Sequence, residues 1–244
     1  MMSFSIKRTA QLVSFLLLTL SVPLCHSSTF AATKKQERVS ESELAAKVDA
    51  LIEGELKKSG ITPAPLASDE DFLRRVTFDL AGRMPTTSEV LLFGLDSTPD
   101  KRRAVIEELL KSDDYGVNWA RYWRDVIYLR ATDMRARLNE AQFVDWMTTQ
   151  LNENKSWQEI TTDLLTASGD VRENGSTALI FAHEGDPAEL AAETSRIFLG
   201  IQIQCANCHD HPTDKWKRKD FHELAAFFPR VRVRPVRDST PRTF

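Results

Sequence analysis

Sulfur is scarce in this chain. Of 244 residues three are cysteine, Cys25, Cys205 and Cys208, too few for the spaced disulfide framework that small secreted domains rely on. Glycine is also sparse, with nine residues, and none of them forms a Gly-rich phosphate loop. Neither a nucleophile elbow nor a His-Glu-x-x-His helix occurs, so no pattern argues for hydrolysis. An excess of one charge is missing as well. The 32 Lys and Arg against 35 Asp and Glu leave a net charge of −3, which gives no footprint for nucleic acid.

Long apolar runs are lacking too. The one apolar stretch, Leu12 to Leu24, is interrupted by Pro23 and is short for the roughly 20 residues of a membrane span. Lys7 and Arg8 precede it and the small residues of Thr29-Phe30-Ala31-Ala32 follow it. That order of charge, apolar core and cleavage site predicts a secretory signal peptide over residues 1–31. The mature chain is therefore expected in the periplasm or secreted, in the cell envelope, with no stable membrane span after cleavage. Cleavage removes Cys25 and His26. Two cysteines remain, with four histidines: His183, His209, His211 and His222.

Both remaining cysteines fall in Cys205-Ala206-Asn207-Cys208-His209. Cys-x-x-Cys-His is the pattern on which a c-type haem is covalently attached, and only an exported protein normally meets the machinery that attaches it. Cys205 and Cys208 would form the thioethers, and His209 would bind the iron from one face. A sixth ligand must come from elsewhere. His222 and His183 lead, with Met84, Met134 and Met147 behind them. His211 is too near, because two residues reach only about 7 Å. Two other chemistries use the same residues. Cys205 and Cys208 with two of His209, His211 and His222 make the Cys₂His₂ set that zinc favours. A redox Cys-x-x-Cys would need a strand before it and a helix after it, for which Ile201-Gln202-Ile203-Gln204 is weak support.

The body of the chain is helical by pattern, and the expected fold is all-α, a multi-helix bundle-like domain. Ser40-x-x-Glu43, Thr86-x-x-Glu89 and Ser156-x-x-Glu159 are capping boxes, each followed by apolar residues at helical spacing. Ser68 starts a helix through Phe72, Val76 and Leu80 to Gly82, and Pro99 is placed in the first turn of another with Ile106, Leu109 and Leu110 as its buried stripe. Longer helices are expected over about 115–130, with Trp119, Tyr122 and Trp123 on one side, and over 138–151. A loop is expected over 167–178, where Asn174-Gly175-Ser176 reads as a turn rather than a glycosylation site. Asp186-Pro187 opens a helix to Leu199, ended by Gly200. A last helix over 218–228 carries Phe221, Leu224 and Phe228. Val231-Arg232-Val233-Arg234 alternates as a short terminal strand. The implied division is a signal peptide, an N-terminal helix and connector over 32–67, a helical domain over 68–228, and the start of a further segment over 229–244.

Three stretches then resemble one family. They are Phe72-Leu73-Arg74-Arg75-Val76-Thr77-Phe78-Asp79-Leu80-Ala81-Gly82-Arg83-Met84-Pro85-Thr86, Tyr115-Gly116-Val117-Asn118-Trp119-Ala120-Arg121-Tyr122-Trp123, and Cys205 to Pro212 with Asp214 and Trp216. In that order they resemble a planctomycete-type cytochrome-c-like domain of unknown function, over about Glu43 to Phe228. The resemblance implies an exported haem-type protein, usually continuing into a second uncharacterised domain, and no settled activity. The expected role is one-electron transfer to a redox partner protein or a following C-terminal domain, more an electron-transfer or accessory domain than a stand-alone enzyme. A zinc-stapled, non-redox scaffold or interaction domain is the alternative.

Overall fold

The computed structural model describes residues 39–244, so the expected signal peptide and cleavage site lie outside the described residues. The chain divides into two units after Ala64. In the first unit Ser40 begins helix α1 (Glu41–Lys58), its hydroxyl accepting the Glu43 amide. Leu44, Val48, Leu51 and Ile52 of this helix are exposed.

The second unit, Pro65–Phe244, is helical throughout its described elements. These are α2 (Asp69–Ala81), α3 (Thr87–Leu95), α4 (Lys101–Lys111), α5 (Asp113–Tyr128), α6 (Glu140–Asn152), α7 (Trp157–Thr166), α8 (Ala178–Ala182), α9 (Pro187–Thr194) and α10 (Arg218–Ala225). Local chemistry starts most of them. Thr86 and Ser156 each accept the amide of the residue three ahead, Glu89 and Glu159, whose carboxylates return to the cap amide. Asp186 accepts the amides of Ala188 and Glu189, with Pro187 in the first turn, where a missing N–H costs nothing. Pro99 sits one residue before the Asp100 cap of α4, outside the first turn where its sequence placed it. In the same helix Leu109 is buried, but Leu110 is 41% exposed, so the buried stripe is narrower than the spacing suggests.

The first two stretches of the family resemblance clasp each other. Gly82 ends α2 in the left-handed region at φ +68, which favours glycine. A Cβ there would lie 2.4 Å from the Asn118 Oδ1 atom. The Asn118 amide donates to the carbonyls of Asp79 and Leu80 at the end of α2. Arg83, the next residue, donates to Glu89 at 2.9 Å and to Asp114 at 2.8 Å. Gly116 performs the same service between α5 and α6. Its N–H donates to Asn152, and a Cβ would lie 2.7 Å from the Thr148 carbonyl. These residues hold helices together.

The core gathers Ala120 and Ile127 of α5, Phe143 and Met147 of α6, Ile160 and Leu164 of α7, and Leu190 and Ala191 of α9. Phe221 of α10 joins it with no exposed surface. The expected loop over 167–178 holds, except that Gly175–Thr177 forms a 3₁₀ turn and Ala178 already begins α8. Asn174 accepts from both the amide and the hydroxyl of Ser176, which is the turn chemistry read from the sequence.

The terminal strand does not form. Val231 and Val233 pack against the core and Arg232 and Arg234 are exposed, so the alternation is real. No second strand exists among the described residues to complete a ladder, and the Val231 amide instead closes a turn onto the Phe228 carbonyl. The tail continues back over the domain. The Val171 amide donates to the Phe244 carbonyl at 2.9 Å, and the Phe244 ring lies 5.6 Å from that of Phe181.

Candidate functional site

The segment leading to the cysteines is shaped by a change of helical pitch. α9 passes at Ser195 into a π-helical turn, Ser195–Leu199, closed by Gly200 in the left-handed region. Single π turns inside helices are frequent at functional sites. Here the turn allows the Ser195 hydroxyl to donate to the Ile201 carbonyl at 2.8 Å, which folds the chain back toward the motif. The sequence reading of one regular helix to Leu199 missed this turn, because no residue type marks it.

The motif itself is a 3₁₀ turn, Gln204–Asn207, followed by bends. Ile203 and Ala206 are core residues, and they anchor the turn from inside. Side chains three apart on such a turn fall on one edge, so burying Ala206 turns Cys205 and Cys208 outward together. Both thiols are exposed and unpaired. No strand precedes them among the described residues, so the strand–motif–helix context of a dithiol redox site is missing.

His209 is exposed, and its Nδ1 lies 2.7 Å from the Asp210 carbonyl oxygen. A carbonyl only accepts, so Nδ1 carries the proton and Nε2 is left as a lone-pair donor. Asp210 is the residue that fixes this bend, and sequence reasoning gave it no role. Its carboxylate accepts the Arg218 amide at 3.0 Å and pairs with Lys217 at 3.1 Å. The Arg218 amide first, and Lys217 after it, hold the Asp210 carboxyl below the usual carboxylate range. The loop is thereby tied to the first turn of α10.

The other histidines are placed differently. His222 on α10 donates from Nε2 to the Asn207 carbonyl at 3.1 Å, so it is held against the motif, with Nδ1 as its remaining nitrogen. His211 accepts the Thr213 amide at Nδ1 and returns its own amide to the Trp216 carbonyl. His183 follows α8 and is wholly buried, with neither ring nitrogen hydrogen-bonded. Burial pushes its pKa down, against the pull of Glu193. Met147 is a core residue, and Met84 and Met134 are exposed. Among the described residues no three His, Cys, Asp or Glu side chains are grouped to hold a metal ion, so the closed Cys₂His₂ arrangement is not assembled.

A cavity of about 320 Å³ opens beside the first cysteine, lined by Arg130, Ala192, Arg196, Ile203, Cys205 and His211, with Gln202 and Gln204. Its cationic wall was not foreseen. Arg196, on the π turn, donates through Nε to Glu193 at 2.8 Å and through Nη2 to the Val126 carbonyl at 2.9 Å. Glu193 is almost fully buried, and Arg130 approaches its other oxygen at 3.7 Å. The only trace in the sequence is the i,i+3 spacing of Glu193 and Arg196, which is common on any exposed helix.

The fold and site define an all-helical domain that presents a Cys-x-x-Cys-His turn at its surface. The chain belongs to the family described as PSCyt2, protein of unknown function (DUF1549), whose model matches residues 47–233. No curated protein and no solved structure gives a significant match.

Proposed function

We propose that this is an exported c-type haem protein of the periplasm or cell envelope, serving one-electron transfer to a redox partner protein or a following domain. The observation that carries the reading is the state of His209 beside two free thiols. Its Nδ1–H is committed to a backbone carbonyl, the arrangement by which metal-bound histidines fix their tautomer and ring orientation. Cys205 and Cys208 are unpaired and exposed on one short turn, which suits two thioether bonds to one macrocycle edge. When bound, the haem supplies the one-electron chemistry of its iron.

The protein's own part is to hold these donors still. Ala206 and Ile203 anchor the turn from the core, and Asp210 ties the following bend to α10. The cavity is at the small end of ligand sites, about 300–1000 Å³, so a group on the thiols stays partly open to solvent and to a partner. Of the distal candidates, His222 leads because it is already bonded to the motif backbone. His183, neutral and buried in the domain interior, follows.

Expression of the full chain in a host with cytochrome c assembly tests the reading. Intact-mass analysis is expected to show one added haem, and the absorption spectrum a Soret band. Cys205→Ala and Cys208→Ala abolish the double attachment, and His209→Ala leaves attachment but alters the ferric spectrum. A chain that matures with unmodified thiols overturns it. Loss of a low-spin ferric signature in His222→Ala or His183→Ala identifies the distal ligand.

A further inference from the structure

We propose that the cavity beside Cys205 is a carboxylate-binding site, with Arg130 and Arg196 as its recognition groups. Two arginines line one cavity, and one buried carboxylate, Glu193, offsets only one of them. The pocket therefore keeps a net positive charge with no protein anion to answer it among its lining residues.

The two arginines are set up differently. Arg196 is built in. Its side chain is 17% exposed, and two of its nitrogens are held by Glu193 and the Val126 carbonyl, which leaves Nη1 to offer. An arginine whose rotamer is already fixed loses little entropy when it binds. Arg130 is more exposed, with its nearest carboxylate oxygen at 3.7 Å, and can turn toward a ligand. Nη1 of Arg196 and the fork of Arg130 together suit the planar, two-oxygen geometry of a carboxylate. Gln202 and Gln204 add amide-bearing side chains to the lining, and Ala192 and Ile203 add apolar ones. Together these features favour a short-chain carboxylic acid group over a bare inorganic ion.

Two sources supply that chemistry. One is the propionate of a haem carried by Cys205, and this source rests on the haem reading. The other is a free small carboxylic acid, which does not. The site is the same in both cases, so the test separates the site from its occupant.

The full chain, expressed without cytochrome c maturation, is titrated with succinate by calorimetry. Binding is expected, and Arg130→Gln should weaken it about tenfold or more, the loss of one charge-assisted hydrogen bond. Arg130→Lys should recover part of it. Arg103→Gln, which removes the same charge from an exposed position of α4, should leave it unchanged. No succinate binding by the unmatured chain, or equal loss in the Arg103 and Arg130 variants, overturns the site. The haem-loaded protein then names the occupant. Succinate binding lost on maturation and regained in no variant assigns the propionate; binding retained after maturation assigns a free acid. If mass analysis shows that no haem is ever attached, the haem reading fails, while succinate binding that depends on Arg130 still supports the site.

Discussion

Replacing Glu193 by alanine removes a carboxylate whose side chain is 3% exposed and leaves Arg196 with the Val126 carbonyl as its one remaining partner. Deleting one member of a buried pair costs about 3–5 kcal/mol, because the other charge stays desolvated and uncompensated. Arg196 retains 17% exposure and one hydrogen bond, which places the expected loss at the low end, about 3 kcal/mol. For a domain of this size each kcal/mol moves Tm by about 2–4 °C, so Glu193→Ala should melt about 6–12 °C lower. Thermal unfolding followed by far-ultraviolet circular dichroism reads this directly. Glu193→Gln keeps an acceptor and should fall between the two. The double variant Glu193→Ala with Arg196→Ala should be less destabilised than the sum of the single variants, because the pair contributes once. A shift under about 2 °C for Glu193→Ala, or strict additivity in the cycle, would refute the buried-pair reasoning and with it the pre-set geometry of Arg196.

Phe221, wholly buried on α10, fixes the helix that carries His222, and Phe221→Ala should cost about 3–5 kcal/mol; chemical denaturation showing less than about 1 kcal/mol would mean α10 is not docked in the core. Glu89 is held at about 2, first by its hydrogen bonds from Arg83, against the ordinary carboxylate value of 4.5. Its folded pKa is depressed, so its contribution is fully present above about pH 4.5 and is lost as pH falls toward 2. Melting temperature should therefore decline over that window, and less steeply in Glu89→Gln; parallel acid limbs for the two proteins would discount the pair.

Much of the fold was legible because helix starts are local events. Thr86 with Glu89 and Ser156 with Glu159 satisfy their own orphan amides within four residues, so no tertiary knowledge is needed to place them. Asp186-Pro187 is similar. What failed was set by distant neighbours. The alternation at 231–234 is a true packing pattern, yet a strand is defined by a partner, and these residues found the core instead. Leu110 has the right spacing on α4 but faces solvent, because which side of a short helix is covered depends on what packs there.

The same divide runs through the site. Cys205, Cys208 and His209 could be singled out as candidates because the chemistry they suggest lies within five consecutive residues. Arg130 and Glu193 are 63 positions apart in the sequence, and no local signal ties the residues just after α5 to the last turn of α9. α9 gives way to a π turn at Ser195, and Arg196 on that turn donates to the Val126 carbonyl. That turn is also where the chain reverses, through Ser195 and Ile201, into the cysteine motif. One backbone irregularity therefore lies next to both the cysteine motif and the cationic wall of the cavity. The motif residues are local in the sequence, whereas the cationic wall beside them draws on Arg130 after α5 and Arg196 on the π turn.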